Sequence, residues 1–164
     1  MNLDNNNTRK FPIEFSGDNT FISRPNENLE DVIDRFPDID SKDKTVIVTD
    51  PYLFSTQDSD YEKNVLKALK KLEASKIIYC HINNPNRNFF ARVKNALGNC
   101  ALEYVNMDSL HDRHWFCVES KKGFYTGTSL NGVGKKYCTV DPLSEETCND
   151  FYNIITEKGI IENE

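Results

Sequence analysis

The chain has 164 residues, 38% of them hydrophobic and 28% charged, which predicts one soluble globular domain with its own core. No apolar run approaches the roughly 20 residues of a membrane-spanning helix, and residues 1–7 lack the basic start and apolar stretch of a secretory signal. The net charge of −6 is unevenly distributed, because residues 61–140 carry 13 basic and 6 acidic side chains whereas both flanking segments are acidic.

The cysteines indicate a reducing environment. Five is an odd number, and their spacing shows no pairs, so we expect free thiols and a cytoplasmic location. They are Cys80, Cys100, Cys117, Cys138 and Cys148.

The first 60 residues alternate between extended and helical patterns. Residues 1–9 are polar and rich in Asn, and we expect them to be a disordered lead-in. Residues 10–15 and 20–22 are typical of short strands, and residues 26–36 have the apolar spacing of a helix. The β-branched run Thr45–Thr49 predicts a strand buried on both faces at the centre of a sheet.

The middle of the chain predicts a parallel crossover. Apolar residues at helical spacing occupy 61–72, and a second apolar run follows at 77–82. Strand, helix and strand at this spacing favour two parallel strands joined by a helix. Another helix is predicted over 86–97, stopped by Gly98, and a further strand over 102–105.

The last third predicts a hairpin, a strand and a helix. Residues 111–118 and 123–126 form the hairpin, 137–140 the strand, and Ser144 caps a helix over 145–155 that ends at Gly159. Because no repeat or linker divides the chain, we predict one domain over 10–164. Its fold class is α/β, a mixed sheet flanked by helices, with the 111–118 strand central.

The hairpin carries the most chemically informative residues. Alternation along a strand would put His111, Arg113 and Trp115 on one face, so that an imidazole able to act as a nucleophile lies beside a guanidinium. The segment 127–132 adds two hydroxyls, an amide and the N–H groups of a glycine-rich turn. All of these groups suit the oxygens of a phosphate.

These residues resemble the signature of the phospholipase D superfamily, in which His, any residue and Lys precede an Asp and then Gly-Ser or Gly-Thr with Asn two positions on. The resemblance implies that His111 attacks phosphorus, that Arg113 and Asn131 hold the phosphoryl oxygens, and that no metal or cofactor is needed. Arg113 replaces the Lys, and Val118 stands where the Asp is expected, with Glu119 one place late. The glycine run is one residue longer than in the family.

The resemblance extends over most of the chain. A strand ending at Asp50, a helix, an apolar strand and another helix before the His-Asp-Arg tripeptide look like one phospholipase D-type domain. The tripeptide with its downstream glycine turn is also similar to the C-terminal domain of MIT-domain proteins, a membrane-binding relative without the full catalytic set. Both an active and an inactive version of the fold therefore remain open.

The site residues follow from this resemblance and from position in the fold. The predicted catalytic residues are His111, Arg113 and Asn131. The predicted phosphate-binding residues are Gly127, Thr128, Ser129 and Lys135. A second tier contains Trp115, which walls the pocket or packs under a base or headgroup, Glu119, and Asp50, which ends a central strand where α/β folds place ligand-facing groups. No metal site is predicted.

The function that this resemblance implies is a phospholipase D-like phosphodiesterase, a metal-independent nuclease that acts through a covalent phosphohistidine. The basic segment 61–140 favours nucleic acid over lipid as the ligand. A single motif lacks the second imidazole that must protonate the leaving group, and a homodimer would supply it. One alternative is an inactive module that binds phosphoinositide, nucleic acid or a nucleotide. Another is a protein-interaction domain that recruits a partner through its acidic termini.

Overall fold

The computed structural model describes residues 20–55 and 58–163, which form seven strands and four α-helices. In chain order these are β1 (Phe21–Ser23), α1 (Leu29–Asp34), β2 (Thr45–Thr49), α2 (Ser59–Lys71), β3 (Lys76–His81), α3 (Arg87–Ala96), β4 (Ala101–Asn106), β5 (His114–Cys117), β6 (Lys122–Thr126), β7 (Cys138–Pro142) and α4 (Glu145–Glu157), with a 3-10 turn at Leu130–Gly132. The predicted strand over 10–15 and the predicted disordered lead-in over 1–9 lie outside the described residues.

All seven strands belong to one mixed sheet in the order β1-β7-β6-β5-β2-β3-β4. Strands β2, β3 and β4 are parallel, whereas β5, β6, β7 and β1 pair with their neighbours in antiparallel fashion. The predicted α/β class and the predicted parallel crossover are confirmed. Strand β5 is fourth of the seven, so the strand that follows the His-Asp-Arg tripeptide is central, as expected.

Helices cover both faces of the sheet. Val46 and Val48 of β2 belong to a core cluster that includes residues of α1, α2 and α3. Ile47, between them, belongs to a second cluster with Phe116 of β5 and Phe151 of α4. Since successive residues of a strand project to opposite faces, α1, α2 and α3 lie on one side and α4 on the other. This two-sided burial explains why β2 is apolar without interruption.

The directions in which the strands run bring distant segments of the chain to one end of the sheet. Val48, near the end of β2, lies opposite Trp115, near the start of β5, in an antiparallel pair. Strand β6 ends and β7 begins at the same end, since Thr126 lies opposite Val140. Asp50, the His-Asp-Arg tripeptide and the glycine turn after Thr126 therefore meet there.

The central hairpin begins later than the sequence predicts. Strand β5 starts at His114 instead of His111. The Thr49 hydroxyl donates to the Asp112 carbonyl at 2.6 Å and accepts from the His114 N–H at 2.8 Å, so a side chain takes the place of a strand partner there. The predicted alternation consequently holds over 114–117 and does not extend to His111 or Arg113.

No membrane-spanning segment is found among the four helices of residues 20–55 and 58–163, because none of them is both long and apolar enough to cross a bilayer.

Candidate functional site

A cleft of about 460 Å³ opens at this end of the sheet, between strands β5, β6 and β7 and the N-terminal end of α4. Of the residues predicted for the site, Arg113 and Gly127 line it. Ser144, which caps α4, and Thr147 of its first turn form part of the opposite wall. The lining therefore contains one arginine together with hydroxyl-bearing residues, residue types that suit a phosphate.

A hydrogen-bonded chain of three side chains stands behind the cleft. The Arg113 Nε donates to the Ser129 hydroxyl at 3.3 Å, and that hydroxyl donates to Oδ1 of Asp50. Asp50 Oδ2 accepts from the main-chain N–H of Leu130 at 2.9 Å. The end of β2, the tripeptide before β5 and the turn after β6 are thus joined through one carboxylate.

Asp50 is completely buried, so it supports the site and does not face the ligand. Its Oδ1 also accepts from the Tyr52 N–H at 3.0 Å, the bond expected of an Asp that forms a turn. Burial raises the pKa of Asp50, while the hydrogen bonds from Ser129, Leu130 and Tyr52 and the Arg113 charge oppose that rise. The hydroxyl of Tyr79 donates to the Asp50 carbonyl at 2.7 Å and fixes the main chain at the same point.

The glycine turn uses most of its polar groups within the protein. The hydroxyl of Ser129 and the N–H of Leu130 serve Asp50, and the Gly132 N–H donates to the Ser129 carbonyl at 2.8 Å. The Gly127 N–H donates to the Thr139 carbonyl at 2.9 Å. These hydroxyl and N–H donors, which were predicted to bind a phosphate, are therefore used within the protein, and the Ser129 hydroxyl positions Arg113.

The other primary candidates do not line the cleft. His111 is exposed in the segment before β5, and Lys135 is exposed in the loop before β7. Thr128 is half-buried, and Asn131 is half-buried in the 3-10 turn. The structure thus brings together Arg113, Ser129 and Asp50, whereas His111 is not hydrogen-bonded to any residue of the described ranges.

Two second-tier candidates lie elsewhere. Trp115 does not wall the cleft, because it is 1% exposed in the core and its ring stacks on Phe124 at a centroid distance of 5.7 Å. The carboxylate of Glu119, beyond the far end of β5, accepts from the Thr45 N–H at 2.9 and 3.1 Å. That bond caps the start of β2 and keeps Glu119 away from Arg113.

Three cleft residues that the sequence did not single out form a row across the sheet. His114 lies directly opposite Tyr125, and Tyr125 lies directly opposite Asp141. Opposed residues of antiparallel strands project to the same face, and all three line the cleft. The register of the predicted hairpin could have paired His114 with Tyr125, but the pairing of Asp141 needed the position of β7.

Burial sets the ionisation of this row. The His114 ring packs edge-on against Phe151 of α4 at 5.0 Å, and burial lowers the pKa of His114. Burial raises the pKa of Tyr125, and the nearby Asp141 carboxylate adds to that rise. Near neutral pH the imidazole and the phenol are therefore neutral hydrogen-bonding groups.

Comparisons with known proteins give a likeness in structure and none in sequence. No protein-family model matches the chain, and no curated protein matches it. The polyphosphate kinase of Porphyromonas gingivalis superposes with a TM-score of 0.53 at 10% identity over 88% of this chain. TrmBL2, an archaeal chromatin protein, superposes at 14% identity over 92% of it, with a TM-score of 0.43 that is too low to carry an argument.

The chain spans 24% of the polyphosphate kinase chain and 54% of TrmBL2. At 10% identity the likeness to polyphosphate kinase concerns the fold alone, and polyphosphate kinase has a phospholipase D-like fold. The mixed seven-stranded sheet with helices on both faces is accordingly an α/β fold of the phospholipase D-like type.

Proposed function

We propose that this domain binds a phosphate-bearing ligand in the cleft beside Arg113. The observation that carries the proposal is that Arg113 lines the cleft while its Nε is held by Ser129. Within the described ranges the two terminal nitrogens of this guanidinium make no hydrogen bond or ion pair. A planar guanidinium with both terminal nitrogens free can contact a phosphate in bidentate fashion.

The buried partner of Arg113 supports binding by reducing its cost. Asp50 and Ser129 restrict the side chain before any ligand arrives, so less conformational freedom is lost on binding. Asp50 also interacts electrostatically with the Arg113 guanidinium. A phosphate that enters the cleft would therefore bind an arginine whose side chain is already held in one conformation.

Binding without turnover is the activity that the geometry supports best. His111 lies in an exposed segment outside the strand, so no strand geometry aligns it with Arg113. Val118, which stands where the phospholipase D signature has an Asp, packs against the core cluster between the sheet and α4. A covalent mechanism needs an aligned nucleophile and a second acid, whereas phosphate binding needs only the oriented cation.

The test is a calorimetric titration in EDTA with inorganic phosphate and with a dinucleotide. We expect the parent protein to bind, and Arg113→Ala to weaken binding at least about tenfold, which corresponds to about 1.4 kcal/mol. Arg92→Ala is the matched control, since Arg92 lies in α3 and pairs with Glu62 at 2.8 Å. Equal losses in the two variants, or no binding by the parent, would refute the proposal.

The second candidate is a metal-independent phosphodiesterase acting on nucleic acid as a homodimer. It is favoured by one observation: the tripeptide 111–113 and the turn that holds Ser129 and Asn131 meet at the end of the central strands of a phospholipase D-like fold. The basic segment 61–140 favours a nucleic-acid ligand over a lipid. His111 is exposed, so a second copy of the chain could bring its own His111 to the same phosphate.

This candidate predicts cleavage of single-stranded DNA or RNA in EDTA that is lost in His111→Ala. His111→Ala should not affect folding, because the side chain is exposed. A dimer by light scattering and a phosphohistidine trapped at low pH would support the mechanism. Cleavage that persists in His111→Ala, or a strictly monomeric active protein, would exclude it.

The cysteines support a cytoplasmic location for either function. All five thiols are free, and Cys80, Cys117, Cys138 and Cys148 are buried. Burial raises the pKa of Cys80 to about 12, so its thiol is protonated and unreactive. A chain with buried free thiols suits a reducing compartment.

A further inference from the structure

The charges that line the cleft are unequal. Two acidic residues, Asp112 and Asp141, line it together with one basic residue, Arg113, and no lysine lines it. A ligand with several adjacent phosphates would place one phosphate on Arg113 and another near a carboxylate, where like charges repel. A ligand with a single phosphate avoids this repulsion. The lining therefore favours ligands with one phosphate over ligands with several adjacent phosphates.

Asp141 has acceptor capacity that the protein leaves open. It accepts a hydrogen bond from the Thr20 hydroxyl, the only side-chain partner found for it among the residues the structure describes. An ionised carboxylate has about four lone-pair positions. The remaining positions belong to a half-buried side chain that lines the cleft, where they are open to hydrogen-bond donors of a ligand.

Tyr125 and His114 extend the same polar surface toward β5. The two residues lie directly opposite each other in the strand pair, and both are half-buried. His114 Nδ1 is buried without a partner, which leaves Nε2 as the ring nitrogen that can meet a ligand. The row therefore offers an imidazole nitrogen, a phenol and a carboxylate in sequence across three strands.

We propose that Asp141, with Tyr125 and His114 beside it, binds the organic part of the phosphate ligand, and that this part carries hydroxyl or amino hydrogen-bond donors. The ligand class is a phosphate monoester of a polyhydroxylated or amino compound, with its phosphate on Arg113. A volume of about 460 Å³ accommodates a ligand of this size. The inference rests on the proposed function, because the same molecule must reach both groups.

The experiment compares four probes by calorimetry: methyl phosphate, ribose 5-phosphate, phosphoethanolamine and pyrophosphate. At least one of the two donor-bearing esters should bind the parent protein about tenfold more tightly than methyl phosphate, since a hydrogen bond to a charged acceptor is worth that factor or more. Ribose 5-phosphate alone would identify hydroxyl donors, and phosphoethanolamine alone an amine. Pyrophosphate should bind no more tightly than methyl phosphate.

Asp141→Asn separates this role from a general loss of structure. It should abolish the preference for the donor-bearing esters over methyl phosphate, and it should tighten pyrophosphate binding more than methyl phosphate binding, because a negative charge is removed. Asp150→Asn, on the exposed surface of α4, is the matched control and should change none of these affinities. A misfolded protein would lose all probes together and could not give opposite changes.

The outcomes distinguish this inference from the proposed function. If methyl phosphate binds through Arg113 but neither ester binds more tightly, or if the preference survives in Asp141→Asn, the inference is overturned and the phosphate site stands. If methyl phosphate does not bind the parent protein, both fail.

Should Asp141→Asn not fold, Tyr125→Phe removes one group of the row without a change in charge. It should reduce the preference for the favoured ester over methyl phosphate about threefold, and an unchanged preference would overturn the inference.

Discussion

The carboxylate of Asp50 accepts a hydrogen bond at 2.9 Å from the main-chain N–H of Leu130, a residue 80 positions away. The same carboxylate accepts from the hydroxyl of Ser129, which in turn accepts from Arg113. A buried charged group is tolerated only where hydrogen bonds compensate its lost hydration. Asp50 therefore stabilises the turn that orients the cation of the cleft.

Replacement of Asp50 should be among the most damaging changes in the chain. In Asp50→Ala the N–H of Leu130 and the hydroxyl of Ser129 lose their acceptor in a fully buried place. Each buried group left without a partner costs about 1–3 kcal/mol, so we expect the free energy of unfolding to fall by about 3 kcal/mol or more. Urea denaturation followed by the fluorescence of Trp115, the only tryptophan, measures the change.

Asp150→Ala controls for the loss of one carboxylate, because this side chain is exposed on α4. Its effect should stay within about 0.5 kcal/mol. A similar effect of the two substitutions would mean that the buried network contributes little to stability.

Ser129→Ala should weaken phosphate binding although no charge is lost. The substitution removes the acceptor of Arg113 Nε and lets the guanidinium adopt other rotamers. Restoring that order on binding costs about 0.5–1.5 kcal/mol, so the dissociation constant for phosphate should rise about threefold to tenfold in calorimetry.

Ser120→Ala provides a matched loss of one hydroxyl far from the cleft. The Ser120 hydroxyl donates to the Ile39 carbonyl at 2.7 Å. Its removal should lower stability by about 1 kcal/mol and leave the affinity for phosphate unchanged. Parallel changes in affinity would show that Ser129 acts through global stability alone.

Gly134→Ala should destabilise the protein more than Gly98→Ala does. Both glycines have positive φ, +75° and +65°, a region that costs other residues about 1–2 kcal/mol. At Gly134 an added Cβ would also lie 2.5 Å from the carbonyl oxygen of Glu27, whereas nothing lies within 4 Å at Gly98. We expect losses of about 3 and about 1 kcal/mol, measured as thermal and urea unfolding. Equal losses would mean that the loop before β7 does not press against the segment before α1.

Stability should decrease as the pH falls below about 6.5. Burial lowers the pKa of His114 and of His81 from the ordinary value of 6.5. The unfolded chain therefore binds protons more strongly than the folded one in this range, so acidification favours unfolding. Each pKa unit of lowering corresponds to about 1.4 kcal/mol.

The measurement is the urea midpoint between pH 7.5 and 5.5. His114→Gln should reduce the dependence on pH, since it removes one of the two imidazoles whose pKa is lowered. The carboxyls whose pKa is lowered, Asp40, Asp58 and Glu62, titrate below this window and do not contribute. Burial raises the pKa of Asp50, so this single carboxyl acts in the opposite direction to the two imidazoles. A midpoint that stays constant over the range would contradict the expectation.

Local patterns in the sequence predicted the elements of the fold. The β-branched run Thr45–Thr49 forms β2 with the predicted bounds, and the helical spacing over 61–72 corresponds to α2, Ser59–Lys71. Ser144 caps α4 as expected, since its side chain accepts from the Thr147 N–H. These features depend on residues close together along the chain, where the period of apolar residues and the capping chemistry are sufficient.

The start of β5 and the surroundings of Asp50 were decided only by the tertiary structure. The hydroxyl of Thr49 fixes the start of β5 at His114. Its hydrogen-bond partners, Asp112 and His114, lie 63 and 65 positions away along the chain. The row from His114 to Asp141 likewise exists only because β6 joins β5 to β7. The sequence by itself determined which segments are strands and helices, but it placed Arg113 within the predicted strand 111–118, whereas the structure places it before β5. Which buried groups satisfy one another's hydrogen bonds depends on contacts between distant segments, and these arise only when the sheet assembles.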